Sequence, residues 1–260
     1  MKTLLITGGS SGIGLATVQY FIHKQWQVFE FSRSGISTEG VYHIHCDVTD
    51  ENSVQQAVAE VMQHTDHIDV VISNAGFGIS GPIEFTESHA AKKQFEVNFF
   101  GAFYLVKAIL PILRQQGHGR ILFTSSVAAE LSIPYQGFYS ASKSAINAMA
   151  LALANEVRPF GIRVSVLMPG DVATGFTDAR EKDVKGADVY CGVHTAVAAM
   201  ERDERSGMTP DMMARDLYRM ATCRSPKPLY IGGTIYKVFC LLNRLLPKRL
   251  VNWIVGKLYC

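Results

Sequence analysis

The sequence has few cysteines, and their arrangement suggests neither a disulfide framework nor a zinc site. The 260 residues include five, an odd number without a C-x-x-C pair or regular spacing: Cys46, Cys191, Cys223, Cys240 and Cys260. Disulfide-stapled folds and zinc sites both depend on such spacing. His43 and His45 face one side of a strand, but no third ligand is evident. We therefore expect a reducing, cytoplasmic setting and no metal.

Long apolar runs are also missing. No run reaches the ~18 residues of a membrane span, and the first residues lead directly into a strand-like segment without the apolar core of a signal peptide. Hydrophobic residues make up 48% of the chain and charged residues 18%, which suits one globular domain with a sizeable core. The formal net charge of +2 predicts no nucleic-acid partner.

Acidic residues are absent from the C-terminal region. No Asp or Glu follows Asp216, whereas eight basic residues do. They are Arg219, Arg224, Lys227, Lys237, Arg244, Lys248, Arg249 and Lys257. The near-neutral total therefore conceals a strongly cationic end.

Strand-like and helix-like segments alternate along the first two thirds of the chain. Apolar runs predict strands at 2–7, 27–31, 43–46, 68–73, 120–124 and 162–167. Helical periodicity predicts helices at 14–24, 52–64, 90–116 and 139–158, with further candidates at 189–202 and 211–223. This alternation predicts an α/β fold, a Rossmann-like doubly wound parallel sheet. We expect a catalytic domain over 1–233, with a substrate-loop region at about 171–228, and a helical extension over 234–260.

A glycine-rich turn follows the first strand. Residues 7–14 read TGGSSGIG and run directly into a helix. A dinucleotide pyrophosphate requires exposed backbone N–H groups at a helix N-terminus and glycines where the backbone approaches closely. We assign Gly8 to the tight turn, Gly12 to the close approach and Gly14 to helix–strand packing. The candidate cofactor residues of this turn are Gly8, Ser10, Ser11, Gly12, Ile13 and Gly14.

The end of the second strand indicates the type of cofactor. An acidic residue there usually binds a free ribose 2′-OH, whereas a basic residue accommodates a 2′-phosphate. Ser32 and Arg33 occupy this place, so we predict NADP(H). Glu30 is the one objection, and it lies far enough before the strand end for its side chain to point elsewhere.

A tyrosine–lysine pair opens the last long helix. Tyr139 and Lys143 are four residues apart and share one helical face. A phenol titrates near pH 10, and a nearby ammonium favours the phenolate, so the pair suits proton transfer to or from a hydroxyl or carbonyl. Ser126 and Asn74 follow strands at the edge where open sheets bind ligands, and Asn98 is an amide within an apolar helix.

Taken together, these motifs resemble the short-chain dehydrogenase/reductase family over about residues 3–175. The residues that carry the resemblance are TGGSSGIG (7–14), Asp47-Val48, SNAG (73–76), Asn98, Ser126, YSASK (139–143) and Pro169-Gly170 with Thr174. Ser73 stands where the family usually has a second asparagine. The family's usual ending, a short strand and a glycine-rich turn, is expected to be replaced here by the basic extension.

The resemblance implies a role for each site residue. Tyr139 would exchange a proton with the substrate oxygen, which Ser126 would orient. Lys143 would lower the pKa of Tyr139 and bind the nicotinamide ribose, and Asn98 would hold a water in the proton relay. The other implied cofactor contacts are Asp47 and Val48 at the adenine, Asn74, Ala75 and Gly76 along the cofactor, and Pro169, Gly170, Val172 and Thr174 at the nicotinamide end.

The segment before Tyr139 indicates a lipophilic substrate. It is apolar apart from Glu130 and includes Val127, Ala128, Leu131, Ile133, Pro134, Tyr135 and Phe138. We expect a hydroxysteroid or a 3-keto lipid such as 3-ketosphinganine as substrate. The alternatives are a 3-ketoacyl-type reductase of a smaller substrate, a non-catalytic cofactor-binding regulator and a membrane adaptor.

The basic extension leaves three interpretations open. Apolar residues recur at helical spacing on both sides of Pro247. The extension is a helix pair lying on a membrane surface, a lid over a lipophilic pocket, or a packed or dimerising segment. The resemblance also implies a homodimer or homotetramer formed through the two long helices.

Overall fold

Seven parallel strands form the central sheet in the computed structural model, which describes residues 1–182 and 184–259. In chain order the strands are β1 (Thr3–Thr7), β2 (Gln27–Ser32), β3 (Val41–His45), β4 (Val70–Ser73), β5 (Ile79–Ser80), β6 (Gly119–Thr124), β7 (Ile162–Met168), β8 (Glu181–Lys182) and β9 (Leu229–Ile231). The sheet order is β3-β2-β1-β4-β6-β7-β9, and β5 pairs separately with β8. The strand order reverses beside β1, which is where such sheets bind ligands.

Helices cover both faces of this sheet. They are α1 (Gly12–His23), α2 (Glu51–His64), α3 (Ser88–Phe95), α4 (Gly101–Gln116), α5 (Gly137–Glu156), α6 (Phe176–Ala179), α7 (Val193–Arg205), α8 (Pro210–Thr222), α9 (Thr234–Leu245) and α10 (Lys248–Tyr259). On one face α1 and α8 pack together, and α2, α4 and α5 pack on the other. The predicted Rossmann-like doubly wound sheet is therefore confirmed.

The core lies in two layers, one on each face of the sheet. Phe21 of α1 and Leu217 of α8 are fully buried in one layer. Leu105 and Ile109 of α4 are fully buried in the other. Residues of β1, such as Leu4 and Leu5, alternate between the two layers, so the strand is apolar throughout, as a strand covered on both sides must be.

The helical stretch Ser88–Gln116 is long and apolar enough to cross a membrane by length and composition. In this fold α4, which forms its second half, packs against α2 and β6. Leu105, Ile109 and Leu113 are fully buried there. The apolar character of the stretch is thus explained by its place in the core.

The end of the sheet differs from the prediction. Leu229–Ile231 forms β9 parallel to β7, and Gly232 and Gly233 follow it. The usual short strand and glycine turn are therefore present, and the basic extension comes after them. Three residues are too few to show a strand periodicity, which is why the sequence did not reveal this strand.

The extension forms two helices, α9 and α10, that are separated at Leu246 and Pro247. Proline lacks the backbone N–H that would continue a helix and disfavours a helical conformation in the residue before it, so the break lies at Leu246 and Pro247. α9 packs against β9, and α10 packs against α7. Cys260, which the sequence left without a role, lies outside the described residues.

Candidate active site

A cavity of about 760 Å³ opens at the carboxyl ends of the strands. Every site residue predicted from the sequence lines it except Gly14 and Asn98. Residues of the glycine turn, the end of β2, the ends of β4 and β6, the start of α5 and the loop after β7 all meet there. Parallel strands bring their carboxyl ends to one edge of the sheet, which explains why residues so far apart in sequence converge.

The glycine turn has the conformation that its glycines predict. Gly8 and Gly12 have φ values of +66° and +52°, a region that L side chains disfavour. A Cβ at Gly14 would lie 1.9 Å from the carbonyl oxygen of Gly8. Gly14 therefore packs helix α1 against the turn, as predicted, while Gly8 and Gly12 shape the cavity wall.

The start of α1 is open to the cavity. Ser11 precedes the first turn and makes no side-chain cap to it, so the first backbone N–H groups lack the partner that a helix end usually has. Ser10, Ser11, Gly12 and Ile13 border the cavity at this end. The geometry fits a pyrophosphate, because aligned N–H groups and the helix dipole attract anions.

Glu30 lies beneath the glycine turn and does not line the cavity. Its carboxylate is buried and accepts hydrogen bonds from Gly9 N at 2.9 Å, Ser32 Oγ at 3.1 Å and His43 Nδ1 at 2.7 Å. These bonds hold the carboxylate of Glu30 outside the cavity. They also give His43 a structural partner.

Ser32, Arg33 and Asp47 border the cavity near the ends of β2 and β3. Asp47 Oδ1 accepts hydrogen bonds from the backbone N–H and the hydroxyl of Thr49, at 2.9 Å and 2.8 Å. These bonds, aided by the positive charge of Arg33, lower the pKa of Asp47. Arg33 is exposed, so its guanidinium is free to meet a phosphate at the cavity mouth.

Two hydrogen bonds fix the edge of the sheet where the cavity lies. The Thr7 hydroxyl accepts from the backbone N–H groups of Asn74 and Ala75, which ties the end of β4 to the end of β1. Asn74 Nδ2 donates to the carbonyl of Gly8 at 3.0 Å. The SNAG motif thus supports the glycine turn as well as bordering the cavity.

Tyr139 faces the cavity from the first turn of α5. Its ring packs 5.7 Å, centroid to centroid, from the ring of Phe176. Burial raises the pKa of Tyr139 to about 12, although the Ser126 hydroxyl opposes this shift. The direction is opposite to the one expected from Lys143, because burial of the phenol dominates. Tyr139 is therefore protonated at neutral pH.

Lys143 is buried below Tyr139. Its ammonium donates to the carbonyl oxygen of Thr124 at 2.9 Å and lies 5.7 Å from the centroid of the Tyr139 ring. Burial lowers the pKa of Lys143 to about 8, because a low-dielectric environment disfavours the cation. A group with a pKa close to neutrality can exchange a proton readily.

Asn98 lies in a π-helical turn, Glu96–Phe100, between α3 and α4. Such turns are rare and often accompany functional sites. The amide is buried; it donates to Phe77 O and Ser142 Oγ, both at 3.1 Å, and accepts from Phe77 N at 3.0 Å. A Cβ at Gly76 would lie 3.1 Å from Asn98 Oδ1 and 3.4 Å from Lys143 Nζ. The amide of Asn98 and the ammonium of Lys143 thus both lie beside the space that a side chain at position 76 would occupy.

The wall around Tyr139 differs in part from the one predicted. Val127, Ala128 and Ile133 line the cavity, whereas Leu131, Pro134, Tyr135 and Phe138 do not. The conformation of the loop and of the start of α5 directs these four side chains away from the cavity. A run of apolar residues in the sequence cannot indicate the direction of each side chain. The sequence missed other residues of the wall, which come from distant segments: Phe77, Gln136, Asp171, Phe176, Met200, Glu204 and Tyr259.

The extension closes one side of the cavity. Tyr259, at the end of α10, contributes to the wall. The ring of Tyr236 in α9 packs on Gly170, where an added Cβ would lie 2.2 Å from it. The extension therefore packs on the domain and also contributes to the cavity wall, which are features of the packed and the lid interpretations. No sequence motif marked either tyrosine.

Among residues 1–182 and 184–259, no cluster of three or more His, Cys, Asp or Glu side chains could hold a metal ion. His43 instead bonds Glu30, and His45 is exposed at the end of β3.

Comparisons with known proteins agree with this geometry. Residues 2–185 match the family model for short chain dehydrogenase. A 3-ketodihydrosphingosine reductase from Bacteroides thetaiotaomicron is 34% identical, over 99% of this chain and 98% of that protein. An uncharacterized Escherichia coli oxidoreductase, YbbO, is 33% identical over 98% of this chain and 94% of its own length.

Solved structures show the same likeness. A short-chain dehydrogenase from Streptomyces avermitilis superposes with a TM-score of 0.83 at 27% identity, over 98% of this chain and 96% of that one. An alcohol dehydrogenase from Thermococcus sibiricus, complexed with 5-hydroxy-NADP, superposes with a TM-score of 0.75 at 25% identity. The superposition covers 91% of this chain and 97% of that one. The family match spans well over half of the chain and these relatives cover nearly all of it, so the chain belongs to the short-chain dehydrogenase family of oxidoreductases.

Proposed function

We propose that this oxidoreductase uses NADP(H) to interconvert a ketone and a secondary alcohol on a lipophilic substrate, with a long-chain 3-keto lipid as the substrate class. The observation that carries the proposal is the cavity in which Tyr139, Ser126 and Lys143 meet the glycine turn and Arg33. One space thus holds a proton donor, an orienting hydroxyl and the groups that suit a dinucleotide.

The cofactor would lie along the carboxyl edge of the sheet. The open N-terminus of α1 would hold the pyrophosphate, Val48 and Asp47 would border the adenine, and Arg33 would pair with the 2′-phosphate. Pro169, Gly170, Val172 and Thr174 would contact the nicotinamide end. When bound, NADPH supplies the hydride. The 5-hydroxy-NADP in the Thermococcus sibiricus relative supports this choice.

The proton would come from Tyr139. Its pKa of about 12 keeps the phenol protonated at neutral pH, so it is ready to donate to a carbonyl oxygen that gains negative charge. Ser126 Oγ, held by the backbone N–H of Ala128 at 3.1 Å, would orient that oxygen. Lys143 would stabilise the phenolate that remains, and Asn98 would border the path by which the proton is replaced.

The substrate class rests on the cavity wall and on one relative. Val127, Ile133 and Phe176 give the wall near Tyr139 an apolar surface, and burial of apolar chain there is favourable. The relative from Bacteroides thetaiotaomicron is named for a ketone on a long-chain lipid. Both favour a lipophilic ketone over a small polar one.

The assembly proposed from the resemblance is a homodimer or homotetramer through α4 and α5. Phe103 of α4 and Leu151 of α5 are exposed, and exposed aromatic and aliphatic residues are common in homomeric interfaces. Sedimentation equilibrium of the wild-type chain and a Phe103→Glu variant tests this. A wild-type monomer would contradict it.

A substrate panel tests the activity. Absorbance of NADPH and NADH is followed with 3-ketodihydrosphingosine, a 3-ketosteroid and a small ketose. We expect oxidation of NADPH with the lipophilic ketones. Tyr139→Phe should lower kcat by about 10²- to 10⁴-fold because general-acid catalysis is lost, with NADPH affinity unchanged. Turnover of the ketose alone, or full activity in Tyr139→Phe, would contradict the proposal.

A further inference from the structure

The two C-terminal helices expose apolar side chains and bury polar ones. In α9 the inward face holds Cys240 and the amide of Asn243. Asn243 Nδ2 donates to the carbonyl oxygen of Glu130 at 2.9 Å, which fixes this orientation. The long apolar residues of α9 therefore point outward, the reverse of the pattern of a helix that packs on a water-soluble core.

Helix α10 also exposes apolar side chains. Leu245, at the end of α9, is 71% exposed, and Trp253 and Leu258 of α10 are 61% and 66% exposed. We define the tail surface by its exposed apolar residues: Ile235, Val238, Phe239, Leu241, Leu242, Leu245, Leu250, Trp253, Ile254 and Leu258. Ten large apolar side chains exposed on two consecutive helices are unusual for a soluble monomer, so the surface indicates a partner.

The charges on the tail surface identify the kind of partner. Residues 234–259 contain no acidic side chain, and their basic residues are exposed: Lys237, Arg244, Lys248, Arg249 and Lys257. A second copy docked about a twofold axis would place these cations against one another, which is unfavourable. An anionic lipid bilayer takes up the apolar side chains and attracts the cations at once.

From these observations we propose that the tail surface docks on an anionic lipid bilayer and holds the mouth of the catalytic cavity there. Tyr259 of α10 lines that cavity, and Tyr236 of α9 packs on Gly170 at its edge. The docked helices would therefore lie between the lipid and the reacting groups. A second consequence, which rests on the proposed function, is that a lipophilic ketone enters from the bilayer without crossing water.

Vesicle co-sedimentation tests the docking without any assay of turnover. The full chain is mixed with vesicles of phosphatidylcholine alone or of an equimolar mixture with phosphatidylglycerol. We expect binding to the anionic vesicles, weakened by salt. A Leu245→Ser/Trp253→Ser variant should bind at least about tenfold more weakly, and Arg249→Gln/Lys257→Gln should lose about fivefold for each cation removed.

Matched controls come from exposed positions outside the tail. Ile36→Ser and Lys92→Gln remove an exposed apolar residue and an exposed cation elsewhere, and both should bind vesicles like the unaltered chain. Equal binding by the tail variants, or no binding by the full chain at low salt, overturns the docking. A tail variant that converts a dimer into a monomer while vesicle binding is absent identifies a second copy as the partner and also overturns it.

Turnover of a ketone in two forms tests the delivery step. The Leu245→Ser/Trp253→Ser variant should reduce vesicle-embedded 3-ketodihydrosphingosine at least about tenfold more slowly and a short soluble ketone at an unchanged rate. If the variant slows reduction of the vesicle-embedded and the soluble ketone equally, the proposal that the substrate enters from the bilayer is overturned. Vesicle binding without reduction of any ketone would leave the docking intact and contradict the proposed function instead.

Discussion

The phenol of Tyr236 donates a 2.6 Å hydrogen bond to Oδ2 of Asp171, which lines the catalytic cavity directly after Pro169 and Gly170. Burial raises the pKa of Asp171, although this bond opposes the shift. The two residues are 65 positions apart. The bond therefore connects the first helix of the extension to the cavity-lining loop after β7.

Removing this bond should loosen the loop. Tyr236→Phe keeps the ring on Gly170 but leaves a half-buried acid with one partner fewer, so we expect a loss of about 1–2 kcal/mol in the free energy of unfolding. We also expect the KM for NADPH or for the ketone to rise severalfold, because the loop is held less firmly. Denaturant unfolding and steady-state kinetics measure the two effects.

Tyr230→Phe is the matched control for this variant. Tyr230 donates a 2.8 Å hydrogen bond to Asp216 Oδ1, between β9 and α8, and neither residue lines the cavity. The control should lose similar stability with unchanged KM values. If both variants changed the KM values equally, the contact between Tyr236 and Asp171 would have no special part in the site.

The cofactor preference should depend on Arg33. Replacing it with Ala removes the cation that we assign to the 2′-phosphate, and a charge-assisted bond of about 1.5–3 kcal/mol corresponds to roughly a ten- to hundredfold weaker binding of NADPH. Affinity for NADH should stay the same. Titration of protein fluorescence with each nucleotide measures this, with Lys92→Ala as a control for loss of an exposed cation. An equal loss for both nucleotides would contradict the assignment.

The sequence revealed those parts of the site that depend on local geometry. The glycines of residues 7–14 predict a turn because L side chains disfavour the positive φ values found at Gly8 and Gly12. Continuous apolar runs such as that of β1 predict buried strands. The order of strands and helices then fixes the edge where Ser126 and Tyr139 meet.

The sequence could not reveal contacts that depend on the packing of distant segments. Tyr259 reaches the cavity only because α10 lies against α7. The four apolar residues that do not line the cavity look like its wall in sequence, yet the loop before α5 and the first turn of α5 direct them elsewhere. The raised pKa of Tyr139 likewise results from burial by neighbours far along the chain, which the spacing to Lys143 cannot indicate.

Buried Lys143 should reduce stability at neutral pH. Its pKa falls from 10.5 in the unfolded chain to about 8 when folded, so between these values the unfolded chain binds more protons and stability rises with pH. The shift corresponds to a cost of about 3 kcal/mol below pH 8. Lys143→Met removes this cost and also the bond to the carbonyl oxygen of Thr124, worth about 1 kcal/mol.

We therefore expect Lys143→Met to be more stable than the wild-type chain by about 1–2 kcal/mol at neutral pH, and inactive. The difference should narrow as pH rises from about 8 to 10.5. Urea unfolding at a series of pH values measures it. Two results would contradict this expectation: a Lys143→Met variant less stable than the wild-type chain at neutral pH, or a stability difference that grows with pH. Either would show that interactions in the folded protein offset the cost of burying the Lys143 ammonium.

Two glycine-to-alanine changes separate a crowded helical position from an open one. A Cβ at Gly14 would lie 1.9 Å from Gly8 O and 2.7 Å from Asn74 Nδ2, whereas one at Gly256 in α10 meets nothing within 4 Å. Gly14→Ala must push α1 off the turn, which we expect to cost several kcal/mol by overpacking and to abolish NADPH binding. Gly256→Ala should instead raise stability by about 0.5–1 kcal/mol through helix propensity. Thermal unfolding and NADPH titration distinguish the two variants. Tight NADPH binding by Gly14→Ala would contradict the prediction, because it would show that the glycine turn can shift to accommodate the added Cβ.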